Sequence, residues 1–253
     1  MLPLRTQVMP LTLRRADRSY RAYLGLDVSP TASLLCYADQ FLHADECAKL
    51  AALTSDSGQG ARTAAALADF LRSRHAGKSV LTAYLPSTGP TQFNIQSGVF
   101  GQPLVAYPGT EPLGISLAHS HGAAAALAFS ECHPMAVDLE LITPDNHEKI
   151  TSQLTHAETL LASSLGEETS VGYTRLWCIK EALAKVLKTG LLVPMDWYEI
   201  ESTEIHNQLV ISYFRHFLQY QAISFEWQGY VCAVVLPRAS GCDFAADAPE
   251  NVP

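Results

Sequence analysis

The segment from Leu176 to Leu187 has the most regular hydrophobic period in the chain, and it constrains the fold most. At 100° per residue its apolar side chains fall on one stripe, as expected for the buried face of an amphipathic helix. These residues are Leu176, Ile179, Leu183, Val186 and Leu187. The opposite stripe carries Trp177, Glu181 and Lys185. We predict a helix that packs on a core, with Lys180 between the two faces and Gly190 as a C-cap.

The polar stripe of this helix has two interpretations. Glu181 and Lys185 are spaced i,i+4 in the favourable orientation, so they could form an ordinary ion pair on a solvated face. Trp177 on the same stripe argues against that interpretation, because a large aromatic ring is rarely left in water.

A second group of carboxylates lies about forty residues upstream, in the predicted strand from Met135 to Leu141. Asp138 and Glu140 are two residues apart, so both side chains leave the same face of the strand. Neighbouring carboxylates repel each other, and a divalent cation relieves the repulsion. Carboxylates combined with a substrate phosphate are the usual ligands of Mg²⁺. Glu181 is a candidate third ligand, whereas a solvated strand face is the alternative.

Composition excludes several classes of protein. The chain has 253 residues and a net charge of −8, whereas a general nucleic-acid binder would be basic. Its six cysteines are far apart and lack CxxC spacing, so neither a disulfide framework nor a zinc knuckle is indicated. No apolar run reaches the roughly 18 residues of a membrane span. We expect a cytoplasmic monomer that binds neither nucleic acid nor membrane.

The pattern of elements indicates an α+β fold. We predict two similar, pseudo-symmetric halves, each an antiparallel sheet packed on a long helix. Residues 1–133 form the N-terminal half, 134–238 the C-terminal half and 239–253 a disordered tail. The predicted helices, besides that of Trp177, are Tyr37 to Leu53, Arg62 to His75 and Thr155 to Leu165, the last with a capping box. The predicted strands, besides that of Asp138, are Phe93 to Ile95, Leu113 to Leu117, the alanine-rich run Gly122 to Phe129, Tyr198 to Ile200, Leu209 to Tyr213, Ile223 to Trp227 and Tyr230 to Leu236.

Two histidines precede the alanine-rich strand. His119 and His121 are expected to share a strand face, where one of them could contact a phosphate or sugar. Alternatively, they could form a transition-metal site with Asp138 and Glu140, or be ordinary surface residues. Arg62, Lys180 and Lys185 are further cations suited to a polyphosphate.

In series, these motifs resemble the surfactin-synthetase-activating type of 4′-phosphopantetheinyl transferase. That family has an S-H-S segment, then G-[VI]-D-[VI]-E, then W-x-x-K-E-[AS]-x-x-K about forty residues later. The corresponding segments here are Ala118-His119-Ser120, Ala136 to Glu140 and Trp177 to Lys185. The turn Phe100-Gly101-Gln102-Pro103 is similar to the family's G-K-P turn. The resemblance extends over roughly residues 37 to 236.

Four positions depart from the family pattern. Ala118 removes a hydroxyl that could contact phosphate, and Gln102 removes a lysine charge from the turn. Ala136 replaces a glycine, and His121 replaces a small or polar residue. The carboxylates and Lys185 are retained.

The resemblance implies that coenzyme A donates 4′-phosphopantetheine to a serine of an apo acyl- or peptidyl-carrier protein, as in fatty-acid, polyketide or nonribosomal peptide biosynthesis. It implies Mg²⁺ held by Asp138, Glu140 and Glu181. Glu181 would also accept the serine proton, and Lys185 would stabilise the leaving group. The residues implied to bind coenzyme A are Arg62, Gly101, Gln102, Pro103, His119, Lys180 and Lys185.

Two other functions compete with this one. A metal-dependent phosphohydrolase would use His119, His121, Asp138 and Glu140, but it leaves the lysines of the helix unused. A non-catalytic binding module derived from a transferase is the other alternative. For an acidic carrier, there are two candidate surfaces: the arginine-rich N-terminus, which could instead be a solvated tail, and the segment between the Thr155 helix and Trp177.

Overall fold

The computed structural model describes residues 4–55, 60–166 and 168–244. Internal contacts divide the chain into two compact units. The first unit comprises Met1–Leu11 and Arg21–Cys132, and the second comprises Thr12–Tyr20 and His133–Pro253. The second unit therefore includes a short N-terminal segment that the sequence analysis placed in the N-terminal half.

The elements up to Ser130 are two strands, then a run of helices, and then a second run of strands. They are β1 (Thr6–Arg14), β2 (Ser19–Asp27), α1 (Thr31–Cys36), α2 (Ala38–Phe41), α3 (Ala44–Ser55), α4 (Ala61–Tyr84), β3 (Asn94–Ser97), β4 (Pro103–Ala106), β5 (Leu113–Ser120) and β6 (Ala123–Ser130). The arginine-rich N-terminus is thus part of a β-hairpin, and its interpretation as a solvated tail is wrong.

The alanine-rich run forms a strand, as predicted. β6 pairs antiparallel with β2 on one side and with β5 on the other. Ala124, Ala126 and Ala128 have no exposed surface and cluster with side chains of α4. The small side chains allow the helix to lie close to the sheet, which overrides the helical propensity of alanine.

Helix α4 is longer than the predicted helix from Arg62 to His75. It continues through Gly77, a residue that usually weakens a helix. A Cβ at position 77 would lie 2.8 Å from Cδ1 of Ile95, so glycine permits close packing at this point. Tertiary packing thus explains why the helix does not end where the sequence suggested.

The elements after Ser130 build the second unit. They are β7 (Ala136–Leu141), α5 (His147–Thr151), α6 (His156–Ser164), α7 (Thr169–Leu187), β8 (Ile200–His206), β9 (Leu209–Phe214), β10 (Tyr220–Trp227), β11 (Tyr230–Pro237) and β12 (Gly241–Phe244). The sheet has the order β7-β11-β10-β9-β8, with each neighbouring pair antiparallel. Helix α7 packs on β7 and β11. Leu176, Ile179 and Leu183 of its predicted apolar face are fully buried there.

Three details of this unit differ from the prediction. Helix α7 ends at Leu187, and Lys188 rather than Gly190 takes the left-handed C-cap position, with φ of 57°. Residues Met195–Tyr198 form a 3₁₀ turn, so the strand predicted from Tyr198 begins only at Ile200. β12 lies inside the segment predicted to be disordered, while residues 245–253 are outside the described part of the chain.

These features give an α+β fold with antiparallel sheets, as predicted. The pseudo-symmetry of the two halves stays a prediction. Within the described ranges, no helix combines the length and the apolar character that crossing a bilayer requires.

Candidate active site

Strand β7 presents the two predicted carboxylates. Val137 and Leu139 are almost completely buried, and Asp138 and Glu140 alternate with them. Asp138 pairs with Ala233 of β11, and Glu140 pairs with Val231. The period-2 pattern therefore puts both carboxylates on the same face of the strand.

Helix α7 brings Lys185 to Asp138. The Nζ atom of Lys185 donates to Oδ1 of Asp138 at 2.7 Å and to the carbonyl oxygen of Val137 at 3.2 Å. The Asp138 side chain is 7% exposed and that of Lys185 is 30% exposed. Burial of the apolar stripe against the core leaves the polar stripe of the helix facing β7.

The indole of Trp177 explains why an aromatic ring lies on the polar stripe. Its Nε1 donates to Oε1 of Glu140 at 3.2 Å. The ring is half-buried, and its N–H orients a carboxylate of the neighbouring strand. The polar face of α7 therefore contacts β7 and is not an entirely solvated surface.

The carboxylate of Asp138 is incompletely satisfied. Its Oδ2 is buried and makes no hydrogen bond with the described residues. The thiol of Cys178 lies near this carboxylate, but Sγ donates to the carbonyl oxygen of Val231 at 3.4 Å. A thiol is in any case a weak donor. Oδ2 is therefore available to an additional ligand.

Glu181 lies near enough to Asp138 and Lys185 for their charges to change its pKa. Burial, and next the charge of Asp138, raise its pKa from 4.5 to about 7, while Lys185 and Lys149 act in the opposite direction. Lys149 of α5 was not found by sequence reasoning. It lies on a five-residue helix with no periodic pattern that would assign it to a site.

The charged groups around Asp138 include carboxylates, a ligand type that Mg²⁺ prefers. Within the described residues, no three His, Cys, Asp or Glu side chains form a preassembled metal cluster. Oδ2 of Asp138 is unsatisfied although Oδ1 pairs with Lys185, and the pKa of Glu181 stays raised although Lys185 and Lys149 lower it, so the lysines compensate these two carboxylates only in part. Because Mg²⁺ usually binds one or two carboxylates together with substrate phosphate, this pair fits the ion. Oε1 of Glu140 already accepts the indole N–H, so its role as a third ligand stays a prediction.

Lys180 has a different role from the one predicted. It is completely buried, and its Nζ donates to Oε2 of Glu158 at 2.6 Å and to the carbonyl oxygen of Gln153 at 3.0 Å. In this arrangement the lysine has no exposed atom to offer coenzyme A. Its assignment as a coenzyme A contact is corrected to a buried ion pair.

The expectation that His119 and His121 share a strand face is wrong. His119 is the exposed penultimate residue of β5, with its Nδ1 3.5 Å from Oδ2 of Asp69. His121 and Gly122 form the turn between β5 and β6, with φ of 42° and 93°. Positive φ at both positions is typical of a type I′ hairpin turn. The two histidines are therefore not the paired metal ligands that the phosphohydrolase alternative requires.

The predicted turn and Arg62 also lie in the first unit. Arg62 is exposed in the first turn of α4. The hairpin loop runs from Gly98 to Gln102, with Gly101 at φ of 79°, and Pro103 begins β4. Oε1 of Gln102 accepts from the backbone N–H of Phe100 at 2.9 Å, so this side chain closes its own turn.

Comparison with known proteins provides independent information about the second unit. Residues 134–235 match the model of the 4′-phosphopantetheinyl transferase superfamily. The matched span includes Asp138, Glu140, Glu181 and Lys185, and it excludes Arg62, His119 and the loop at Gln102. A search of curated proteins finds no match to the chain.

Proposed function

We propose that this protein transfers the 4′-phosphopantetheine group of coenzyme A to a serine of an apo acyl- or peptidyl-carrier protein, leaving 3′,5′-ADP. One observation carries the proposal. Glu181 and Lys185 of α7 are gathered with Asp138 of β7, inside the span that matches the transferase superfamily. The resemblance noted in the sequence favours the surfactin-synthetase-activating type within that superfamily.

Glu181 is suited to accept the proton of the attacking serine. A general base works best when its pKa lies near the working pH, and the pKa of Glu181 is raised to about 7. As the proton leaves, the serine oxygen forms a bond to the β-phosphorus. The bond between that phosphorus and the bridging oxygen breaks, and 3′,5′-ADP departs with the electron pair.

Lys185 is suited to stabilise that departure. Its side chain is partly exposed, and its Nζ is held by Asp138 and the backbone of Val137, so its position is fixed before substrate binds. A preorganised cation beside a developing negative charge is a large contribution to catalysis of phosphoryl transfer.

Asp138 and Glu181 are the residues that would hold Mg²⁺, which when bound neutralises the charge of the pyrophosphate. Glu140 remains a proposed third ligand. Arg62, His119 and the turn of Gly101, Gln102 and Pro103 remain proposed contacts of coenzyme A.

Mass spectrometry of carrier proteins tests the function directly. The protein is incubated with coenzyme A, Mg²⁺ and apo carriers from fatty-acid, polyketide and nonribosomal peptide systems, and the carriers are then weighed. A mass gain of one phosphopantetheine group on at least one carrier is expected, with 3′,5′-ADP formed in equal amount.

A pair of matched variants shows whether the assigned site performs the transfer. Lys185→Met removes the proposed catalytic cation, whereas Lys188→Met removes an exposed lysine just beyond the end of α7. Transfer is expected to be lost in the first variant and kept in the second. Unmodified carriers with the wild-type protein, or equal activity of the two variants, would contradict the proposal.

A further inference from the structure

The Lys180–Glu158 pair is a buried charge pair that contacts none of the residues assigned to the reaction. Both side chains are completely buried, and Nζ lies 2.6 Å from Oε2. Lys180 also donates to the carbonyl oxygen of Gln153. Burying two charges is costly unless their hydrogen bonds are well made, so the pair has to be held in one geometry.

The carboxylate of Glu158 makes hydrogen bonds that connect three elements. Its Oε2 accepts from the backbone N–H of Thr155 at 2.8 Å, which closes the capping box at the start of α6. Its Oε1 accepts from the backbone N–H of Ile200 at 3.0 Å, at the start of β8. The carboxylate thus joins α7 to α6 and to the sheet through directional bonds.

We propose that Lys180 and Glu158 are positioning residues for the transfer reaction, because they set the rotation of α7 that places Glu181 and Lys185 opposite Asp138; this inference rests on the proposed function. Lys180 immediately precedes Glu181 in the helix. The apolar face of α7 also restrains the helix, but apolar contact is non-directional. The ion pair adds the directional restraint.

A small rotation of α7 about its axis is enough to disturb the site. Side-chain ends lie roughly 6 Å from a helix axis, so a rotation of roughly 10° displaces them by about 1 Å. The bond from Lys185 to Asp138 is 2.7 Å long and would break with such a shift. A displacement of this size can lower the rate of a catalysed step by about a hundredfold.

The first unit contains a matched control. Lys78 of α4 donates to Oε2 of Glu46 at 2.6 Å, and the two side chains are 1% and 3% exposed. Glu46 also accepts from the N–H of His43, three residues before it, and from the N–H of Ile95 at the start of β3. A buried lysine–glutamate pair thus occurs in both units, but Lys78 does not adjoin the residues assigned to the reaction. Glu46 differs from Glu158 in a second ion pair, because Nε of Arg74 lies 3.1 Å from its Oε1.

The test compares two double variants, Lys180→Met/Glu158→Gln and Lys78→Met/Glu46→Gln. Both remove a buried pair at nearly constant shape, and glutamine keeps an oxygen for the backbone donors. Removal of both partners of a buried pair is often tolerated, so folding is expected and is checked by circular dichroism and urea titration. Each folded variant is then assayed for kcat, for the KM of coenzyme A and for Mn²⁺ binding by electron paramagnetic resonance.

We expect kcat to fall about tenfold to a hundredfold in the Lys180 variant, with little change in KM. We expect its Kd for Mn²⁺ to rise about tenfold, as for other groups that orient ligands. The Lys78 variant should retain the wild-type kcat and the wild-type Kd for Mn²⁺. Equal kcat and equal Mn²⁺ affinity in the two variants would overturn the inference.

Three further outcomes are also informative. If the Lys180 double variant does not fold, Glu158→Gln is compared with Glu46→Gln by the same criteria. If the wild type modifies no carrier, the proposed function fails, whereas the comparison of Mn²⁺ affinities still tests the positioning role. If the wild type also binds no Mn²⁺, both proposals fail.

Discussion

Glu181→Gln is expected to stabilise the protein in the absence of divalent cations, although it removes a proposed catalytic group. The pKa of Glu181 is raised from 4.5 to about 7, by burial first and then by the charge of Asp138. A carboxyl group whose pKa is higher in the folded state favours folding while it is protonated. That stability is complete below about pH 4.5 and is lost as the pH rises through about 7.

The size of the stability difference follows from the pKa shift of Glu181. One pKa unit corresponds to about 1.36 kcal/mol, so the shift from 4.5 to about 7 would correspond to about 3.4 kcal/mol. Because Glu181 is only half-buried, solvent screens part of this interaction. We therefore expect the glutamine variant to be more stable by roughly 1.5 kcal/mol at pH 8, and the difference to disappear by about pH 4.

Urea denaturation in the presence of a chelator measures this difference across the pH range. Glu201→Gln is the control, because it removes one carboxylate from an exposed position on β8. Addition of Mg²⁺ should reverse the order of stability, since a ligand at about 100 times its Kd stabilises the wild type by about 2.7 kcal/mol. If the two variants show the same pH dependence, the argument about the environment of Glu181 is refuted.

The remaining predictions concern the charges of the second unit. Lys185→Ala should lower kcat by about a hundredfold or more with little change in the KM of coenzyme A, and a change in KM alone would make Lys185 a ground-state contact. Asp138→Asn should abolish transfer while circular dichroism stays unchanged, and it should lower the pKa of Glu181, measured by NMR titration, because one of the two raising causes is removed. Arg15→Ala should raise the KM of an acidic carrier at low salt and flatten its salt dependence; identical salt curves would exclude this arginine, which lies in the hairpin turn after β1.

The prediction for Arg15 uses a point substitution because a deletion of the N-terminus would disrupt the fold. Deleting residues 1–22 would remove β1 and part of β2. Arg14 already pairs with Asp243, and Arg18 pairs with Asp17. Arg15 can be changed without breaking either ion pair.

The core of the candidate site could be predicted from sequence because its two elements have strong periodic patterns. The period of 3.6 in α7 and the period of 2 in β7 each fix which side chains share a face. The strand's pairing with β11 and the packing of α7 on both strands then bring these faces together. Only the distances, such as 2.7 Å between Lys185 and Asp138, required the structure.

Other features could not be predicted because their cause lies outside the local sequence. β8 is largely exposed and polar, so it lacks an apolar alternation, and its strand state depends on pairing with β9. The position of His121 depends on a two-residue turn that requires positive φ at a non-glycine residue. Lys180 was misassigned because the sequence does not show that Glu158, which was predicted as a capping residue, also reaches α7.

Some contacts occur in both units, and these help to distinguish structural residues from the residues assigned to the reaction. In the first unit, Nδ1 of His75 on α4 lies 2.5 Å from Oδ2 of Asp27 on β2. In the second unit, Trp177 of α7 donates to Glu140 of β7. Each helix residue is followed three positions later by the lysine of a buried pair, Lys78 or Lys180. The two units can be compared position by position from these two lysines, while their pseudo-symmetry stays a prediction.

At the corresponding positions, the two units differ in the residues that carry charge. The second unit has Asp138, Glu181 and Lys185, whereas the first has Gly25, Ser79 and Ala83. Gly25 pairs with Ala126, and Asp138 pairs with Ala233, each in an antiparallel strand pair. The paired lysines are common to both units, and we therefore assign them to the scaffold. The three charged groups occur at these positions only in the second unit, which is why we assign the reaction to them and why the first unit supplies the controls.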